Sequence, residues 1–486
     1  MLKLKIHAVP LSILTRLVIL RFPYIARGIE IAIESHFHYA RLINPGENFV
    51  RHVLVLLLLC LIVPAVHAEN WPQWRGPSFN GSSTESGLPE SWSKTENVVW
   101  AAPLPGPSAA TPIVWDDKVF VSSTDAKTKD LLAICIDRKT GKELWRKTVA
   151  VGVIKASPTN RVPTASPSPV TDGKSVFFTF GSGDMVAYDM DGKQLWERNL
   201  AKDFGALTYM HGYSSSPLLY KERLYLSMLR RDRASEKGAP AKAVADGELL
   251  DSFLLAIDPK TGKDVWKQIR KGDGKDGAQE AYTTALPFEF GGRSEVVVSG
   301  VDVLTGHNPE TGEQLWRWGT MLNPSNSRTV VSALAAGDML IASGSQKMPV
   351  YAVKGGAKGD VGDNQLAWKH TEFPANVCTP LFYNGSLYMV DGHKKILSCL
   401  DPKSGAVLWK GTLPGTAFFS ASPTGSDGKI YMINEVGDVT IAAAGNEFKI
   451  LHNFVTDEGP CYSTIVVAQR QVFIRTAQNL YCIARK

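Results

Sequence analysis

The stretch LTYMHGYSSS (207–216) sets one imidazole, His211, between two phenols, Tyr209 and Tyr213. Histidine titrates near neutral pH, so proton transfer or ligand binding would be sought here first. The plainer reading is a histidine packed by aromatics in a connection between repeated units. Arg161, Asn326 and Arg328 fall in connections that the repeat pattern places on the same side, and these six residues form the candidate ligand or partner face. No catalytic residue, cofactor-binding residue or metal ligand is assigned. The chain has no G-x-S-x-G elbow, no H-E-x-x-H pair and no phosphate loop. GDGKDGAQE (272–280) is rich in Asp and Gly, but its spacing is not that of an EF-hand loop, and it reads as a solvated connection.

The elements that position these residues are repeats. DRKTGKELW (137–145) returns as DPKTGKDVW (258–266), NPETGEQLW (308–316) and DPKSGAVLW (401–409), with a shorter form, DMDGKQLW, at 189–196. Each follows an apolar run such as LLAICI or SFLLAI. The leading Asp or Asn can bond its own turn, and Gly141, Gly262, Gly312 and Gly405 suit the positive φ of a tight hairpin. The phrase therefore reads strand, turn, strand, with one Trp on the second strand.

Two further strand-like runs precede each phrase, for example TPIVWDDKVFVSS (111–123) and CTPLFYNGSLYMVDG (378–392). Short alternating strands with polar turns at regular spacing predict an all-β fold, and four-stranded units repeated radially are propeller blades. Trp100, Trp145, Trp196, Trp266, Trp316, Trp368 and Trp409 mark fourth strands as structural docking residues, with Phe454 in the eighth slot. The three runs after Phe454 lack a fourth strand, and NVVW (97–100) has no three strands before it. Pairing these two ends closes an eight-bladed β-propeller whose inner strands leave a central channel. Strand alternation puts the second-to-third-strand loops and the inter-blade connections (146–165, 200–213, 229–250, 318–327) on one face. The Gly hairpins lie on the other.

The 53 Lys/Arg and 47 Asp/Glu include seven and three in residues 1–68, leaving 46 against 44 in the rest. No basic stripe remains, which excludes nucleic acid as a partner class. RHVLVLLLLCLIVPAVHA (51–68) joins a basic start to eleven apolar residues and ends in Val66-His67-Ala68. That is a signal peptide cleaved near Ala68, too short to span a membrane. The expected organisation is a pre-region and signal (1–68), an N-terminal extension (69–96) and the propeller (97–486). The mature chain is expected to be periplasmic or secreted and monomeric, with no transmembrane span. Its five cysteines, Cys135, Cys378, Cys399, Cys461 and Cys482, fall at first- and third-strand positions about 9–10 Å apart within a blade. That exceeds disulfide reach, so free buried thiols are expected.

The Trp phrases and the segment NWPQWRGPSFNGSSTESGLPESWSKTENVVW (70–100) resemble the pyrroloquinoline-quinone (PQQ)-type propeller superfamily over nearly all of residues 69–486. The resemblance implies Trp phrases that interlock neighbouring blades. It covers quinone-dependent dehydrogenases and also noncatalytic members, among them the lipoprotein of the outer-membrane barrel-insertion machinery. The enzymes use adjacent cysteines beside the quinone and Glu, Asn and Asp around calcium; this sequence has no Cys-Cys pair. The expectation is therefore a binding or scaffold module with a protein or glycan partner in the cell envelope. A PQQ- and calcium-dependent dehydrogenase is the alternative.

Overall fold

The computed structural model of the protein describes residues 68–93, 96–152, 163–231, 250–319, 328–344, 348–372 and 374–485. The expected signal segment, Ala68 apart, and the candidate face residues Arg161 and Asn326 lie outside the described residues. What is described is an eight-bladed β-propeller of eight sheets, each with four antiparallel strands and one with a fifth strand added in parallel. Blade 1 comprises Ile113–Trp115, Lys118–Thr124, Leu131–Asp137 and Glu143–Ala150, and blades 2 to 7 repeat that order. Blade 8 is built from Val466–Ala468, Gln471–Arg475 and Asn479–Ile483, and its outer strand is Val98–Pro103 from the other end of the chain.

The core lies between blades rather than within one. Strand alternation gives every blade two apolar faces, and eight hydrophobic clusters each join one neighbouring pair. At the seam, Trp100, Phe473, Leu480 and Cys482 of blade 8 pack on Val114, Val121 and Ile134 of blade 1. All five cysteines are free and buried. Cys378 and Cys461 lie just ahead of their first strands rather than in them, with their thiols directed at the carbonyls of Phe419 and Glu458.

Six Trp side chains fasten blade to blade. The indole N–H groups of Trp100, Trp145, Trp196, Trp266, Trp368 and Trp409 donate to the carbonyls of Arg138, Met190, Pro259, Pro309, Pro402 and Gly445, all in the next blade's hairpin. The glycine of that hairpin has to be a glycine. At Gly262, φ is +70° and a Cβ would stand 2.7 Å from the Trp196 ring. Trp316 departs from the expected docking. Its indole donates to Glu295 Oε2 within its own blade at 2.5 Å. The hairpin insertion of blade 5 places Gly359–Val361 parallel to Trp316–Trp318 as a fifth strand instead. Trp318 makes the inter-blade contact there, 5.1 Å centroid to centroid from Tyr351.

Around the axis, one hydroxyl residue from each of blades 1 to 7 forms a chain. The backbone N–H groups of Thr111, Ser168, Ser216, Thr284, Ser332 and Thr379 donate in turn to the hydroxyls of Ser168, Ser216, Thr284, Ser332, Thr379 and Ser422, at 2.9–3.1 Å. The N-terminal segment then closes one mouth of the channel, which the sequence reading had left open. Trp71 bridges to Val114, Pro72 O accepts from Thr171 N–H, Gln73 pairs with Leu219, and Ser83 N–H donates to Gly425 O. Arg75 enters the mouth between them. Its Nη1 donates to Pro423 O at 2.9 Å, and its Nη2 donates to Asn80 O and Pro380 O at 2.9 and 2.6 Å. Trp71 is fully buried under the ring while Trp74 is half-buried.

His307 supplies a pH test of the fold. Its Nδ1–H donates to Gly312 O at 3.1 Å, so Nε2 is left to accept from the Thr305 hydroxyl at 2.9 Å. Burial pushes this imidazole down to about 4. A folded pKa below the unfolded value of 6.5 means the unfolded chain takes up the proton first. The contribution is therefore complete above pH 6.5 and lost as pH falls toward 4, amounting to about 3 kcal/mol. Urea unfolding at pH 7 and pH 4.5 should show that slope reduced in His307→Gln; an unchanged slope would contradict it.

Candidate binding face

The face opposite the plugged mouth gathers part of the sequence-derived set. The connection 200–213 enters after Asn199 caps a short helical turn, its side chain accepting from Lys202 N–H at 3.0 Å. It then runs along blade 3. Thr208 and Arg231 exchange backbone and hydroxyl bonds, so the start of the 229–250 insertion is tied to this connection. From blade 4's entry, Ala281 N–H donates to Leu229 O, and Tyr282 N–H donates to Thr329 O. Four connections distant in sequence thus meet at one place.

Glu280 lies at the centre with no solvent exposure. Its Oε1 accepts from Arg328 Nε at 2.9 Å and Arg231 Nη2 at 3.1 Å, and its Oε2 accepts from Met210 N–H at 2.8 Å. Arg328 Nη1 lies 3.1 Å from His211 Nε2. A guanidinium only donates, so His211 accepts there and its proton resides on Nδ1. The Tyr282 hydroxyl accepts His211 N–H at 3.1 Å, and the two rings lie 6.0 Å apart. The Tyr209 ring lies tilted against both Tyr213 and Tyr282, with centroids 5.6 and 5.8 Å apart.

Tyr209, His211, Tyr213 and Arg328 are therefore brought together. Tyr209 and Tyr213 are buried floor, whereas His211 and Arg328 reach the surface in part. Burial pushes the phenols of Tyr209, Tyr213 and Tyr282 well above their ordinary range, so all three stay protonated at neutral pH. Sequence reasoning missed Glu280, Arg231 and Tyr282, because the 272–280 run reads as solvated when taken alone. It is anchored at both ends instead, with Asp273 paired to Arg317 at 2.5 Å.

The residues do not fit a quinone–calcium centre at this place. Both oxygens of Glu280 are occupied by protein donors. Among the described residues no three His, Cys, Asp or Glu side chains converge as a metal site would demand. The cysteines stand apart and buried, with Cys378 and Cys461 pushed up to about 12 by desolvation. Glu280, Arg231 and Arg328 instead form an ion-paired cluster of net positive charge.

An eight-bladed propeller with Trp-fastened blades is the architecture of the PQQ-type propellers, and comparison bears this out. Residues 85–231 match the family model described as outer membrane protein assembly factor BamB. The chain is 24% identical over 230 residues to the tetrathionate hydrolase of Acidithiobacillus ferrooxidans, covering 44% of each protein. It is 24% identical over 404 residues to the polyvinylalcohol dehydrogenase of a Sphingopyxis species, covering 75% of this chain and 54% of that one. The chain thus spans about half the length of these curated relatives. In three dimensions it is similar to a europium-containing methanol dehydrogenase, with TM-score 0.63 and 11% identity, covering 85% of this chain and 90% of the other. It is also similar to BamB from Moraxella catarrhalis, with TM-score 0.54 and 12% identity, covering 79% and 99%. The likeness of the structures shows the fold, which is shared by alcohol dehydrogenases and an assembly factor alike.

Proposed function

We propose that this chain is an exported propeller that acts as a binding or scaffold module, presenting the face around Glu280, His211 and Arg328 to a protein or glycan partner in the cell envelope. The observation that supports it most is the state of Glu280. Fully buried, the Glu280 carboxylate is held by three protein donors, which supports a role in organising a recognition surface over one as a free base or metal ligand. The net positive cluster, with His211 and Arg328 partly exposed, suits a partner carrying acidic groups. Among the described residues no helix is long and apolar enough to cross a membrane.

A second reading, a quinone-dependent oxidoreductase, is favoured by the likeness to polyvinylalcohol dehydrogenase across three quarters of the chain. Two measurements separate them. Purified protein titrated with PQQ and calcium should reduce no dye with alcohols or sugars; saturable turnover abolished by chelation would make the enzyme reading correct. Capture from envelope extracts should retain a partner that Arg328→Glu loses and that Leu408→Lys, on an outer strand, keeps.

A further inference from the structure

Ala68 and Glu69 lie at the seam where the ring closes. Gln469, in the turn between the first two strands of blade 8, donates its backbone N–H to Glu69 O at 3.0 Å. Its side-chain amide donates to Ala68 O at 3.2 Å and to Asn70 Oδ1 at 2.8 Å. The Glu69 carboxylate accepts from the Ser83 hydroxyl and Thr84 N–H at 2.6 and 2.8 Å. The backbone nitrogen of Glu69 points the other way and donates to Glu85 Oε1 at 2.5 Å. Glu85 is only 6% exposed, and no ion pair among the described residues includes it.

A sequestered carboxylate facing a neutral amide N–H is half of a pair, because burial without a counter-charge is costly. The missing half is the nitrogen already in place. Hydrolysis of the Ala68–Glu69 bond breaks that amide: water supplies the hydroxyl to the Ala68 carbonyl carbon, and the Glu69 nitrogen takes up protons to become an α-ammonium. We propose that removal of the segment ending at Ala68 completes an ion pair between the new Glu69 ammonium and Glu85. The pair fastens residues 69–93, with Arg75, into the axial mouth, so the plug is held more tightly in processed protein. Glu85 is suited to this role, since its own backbone carbonyl accepts from the Ser426 hydroxyl of blade 7 at 2.9 Å and holds the carboxylate against the ring. The inference rests on the export reading given above.

The test uses protein recovered after export of the full chain. Intact mass reads the start first, and a mature start other than Glu69 overturns the processing site before any coupling is measured. Hydrogen exchange at the amides of Trp71 and Ser83 is then compared between the free terminus and the same protein acetylated at its α-amine, each with and without Glu85→Gln. Acetylation should speed exchange by about tenfold or more in the unsubstituted protein, the scale of a charge-assisted bond. In Glu85→Gln it should change nothing. A chain beginning at Ala68, released from a tag, moves the charge by one residue and should behave like the acetylated form, which keeps the comparison open if the Gln variant does not fold. Equal sensitivity to acetylation in both backgrounds, or none in either, overturns the pair.

Discussion

Trp100→Ala should cost about 3–5 kcal/mol of stability, and deleting residues 69–104 should leave a chain that aggregates instead of folding as a monomer. Among the described residues, Val98–Pro103 supplies blade 8's outer strand. Ala101, Ala102 and Pro103 pair with Tyr481, Leu480 and Asn479, and Trp100 pairs with Cys482. Without that strand, Asn479–Ile483 becomes an open sheet edge beside an emptied apolar cluster. Trp100 itself is 8% exposed and packs on Phe473, with centroids 6.1 Å apart. It then crosses to blade 1, where its indole donates to Arg138 O at 2.8 Å over Gly141. Trp145 makes the equivalent crossing to Met190 O at 3.1 Å between blades that are contiguous in sequence. Urea unfolding should therefore give Trp100→Ala and Trp145→Ala similar losses. An unchanged midpoint for Trp100→Ala would contradict closure through this strand.

What the sequence made legible is what it encodes locally. A turn Asp, a left-handed glycine and a Trp four residues later sit on one line, and each repeat restates the same hairpin, so blade number and closure follow from counting. Trp316 fits that line and still docks elsewhere. The hairpin it would meet carries the 354–365 insertion, where Gly355 and Gly356 lie against Phe290 and the returning chain pairs in parallel with Trp316's own strand. Parallel pairing between neighbouring blades leaves no spacing in the sequence. Glu280 is hidden for a related reason: its two guanidiniums arrive from 49 and 48 residues away, and nothing adjacent marks the carboxylate as buried. His211, by contrast, stands out in the sequence between Tyr209 and Tyr213, although the ring it meets is that of Tyr282, 71 residues away.

Arg75→Ala is the second change of large effect, and it should release the plug while leaving the ring standing. The guanidinium is fully desolvated, which pushes its pKa down to about 9, so it remains cationic at neutral pH and carries a burial penalty. Carbonyls of Pro423, Pro380 and Asn80 offset that penalty, from positions 348, 305 and 5 residues away. Removing the side chain orphans three acceptors at about 1–3 kcal/mol each, so a loss of roughly 3 kcal/mol or more falls on the docking of residues 69–93. The Trp100 strand lies downstream and retains its own pairing, so the expected readout is local. Amides of Trp71 and Ser83 should lose protection and the segment, with Trp74, Phe79 and Leu88, should become open to chymotrypsin, while strands such as Leu131–Asp137 stay protected. Gly81→Ala should reproduce this without touching the charge, because Gly81 has φ +83° and a Cβ there would lie 2.2 Å from Arg75 Nη2. Wild-type protection of the segment in both variants would mean that Arg75 does not hold it, and that Trp71 and Gln73 suffice.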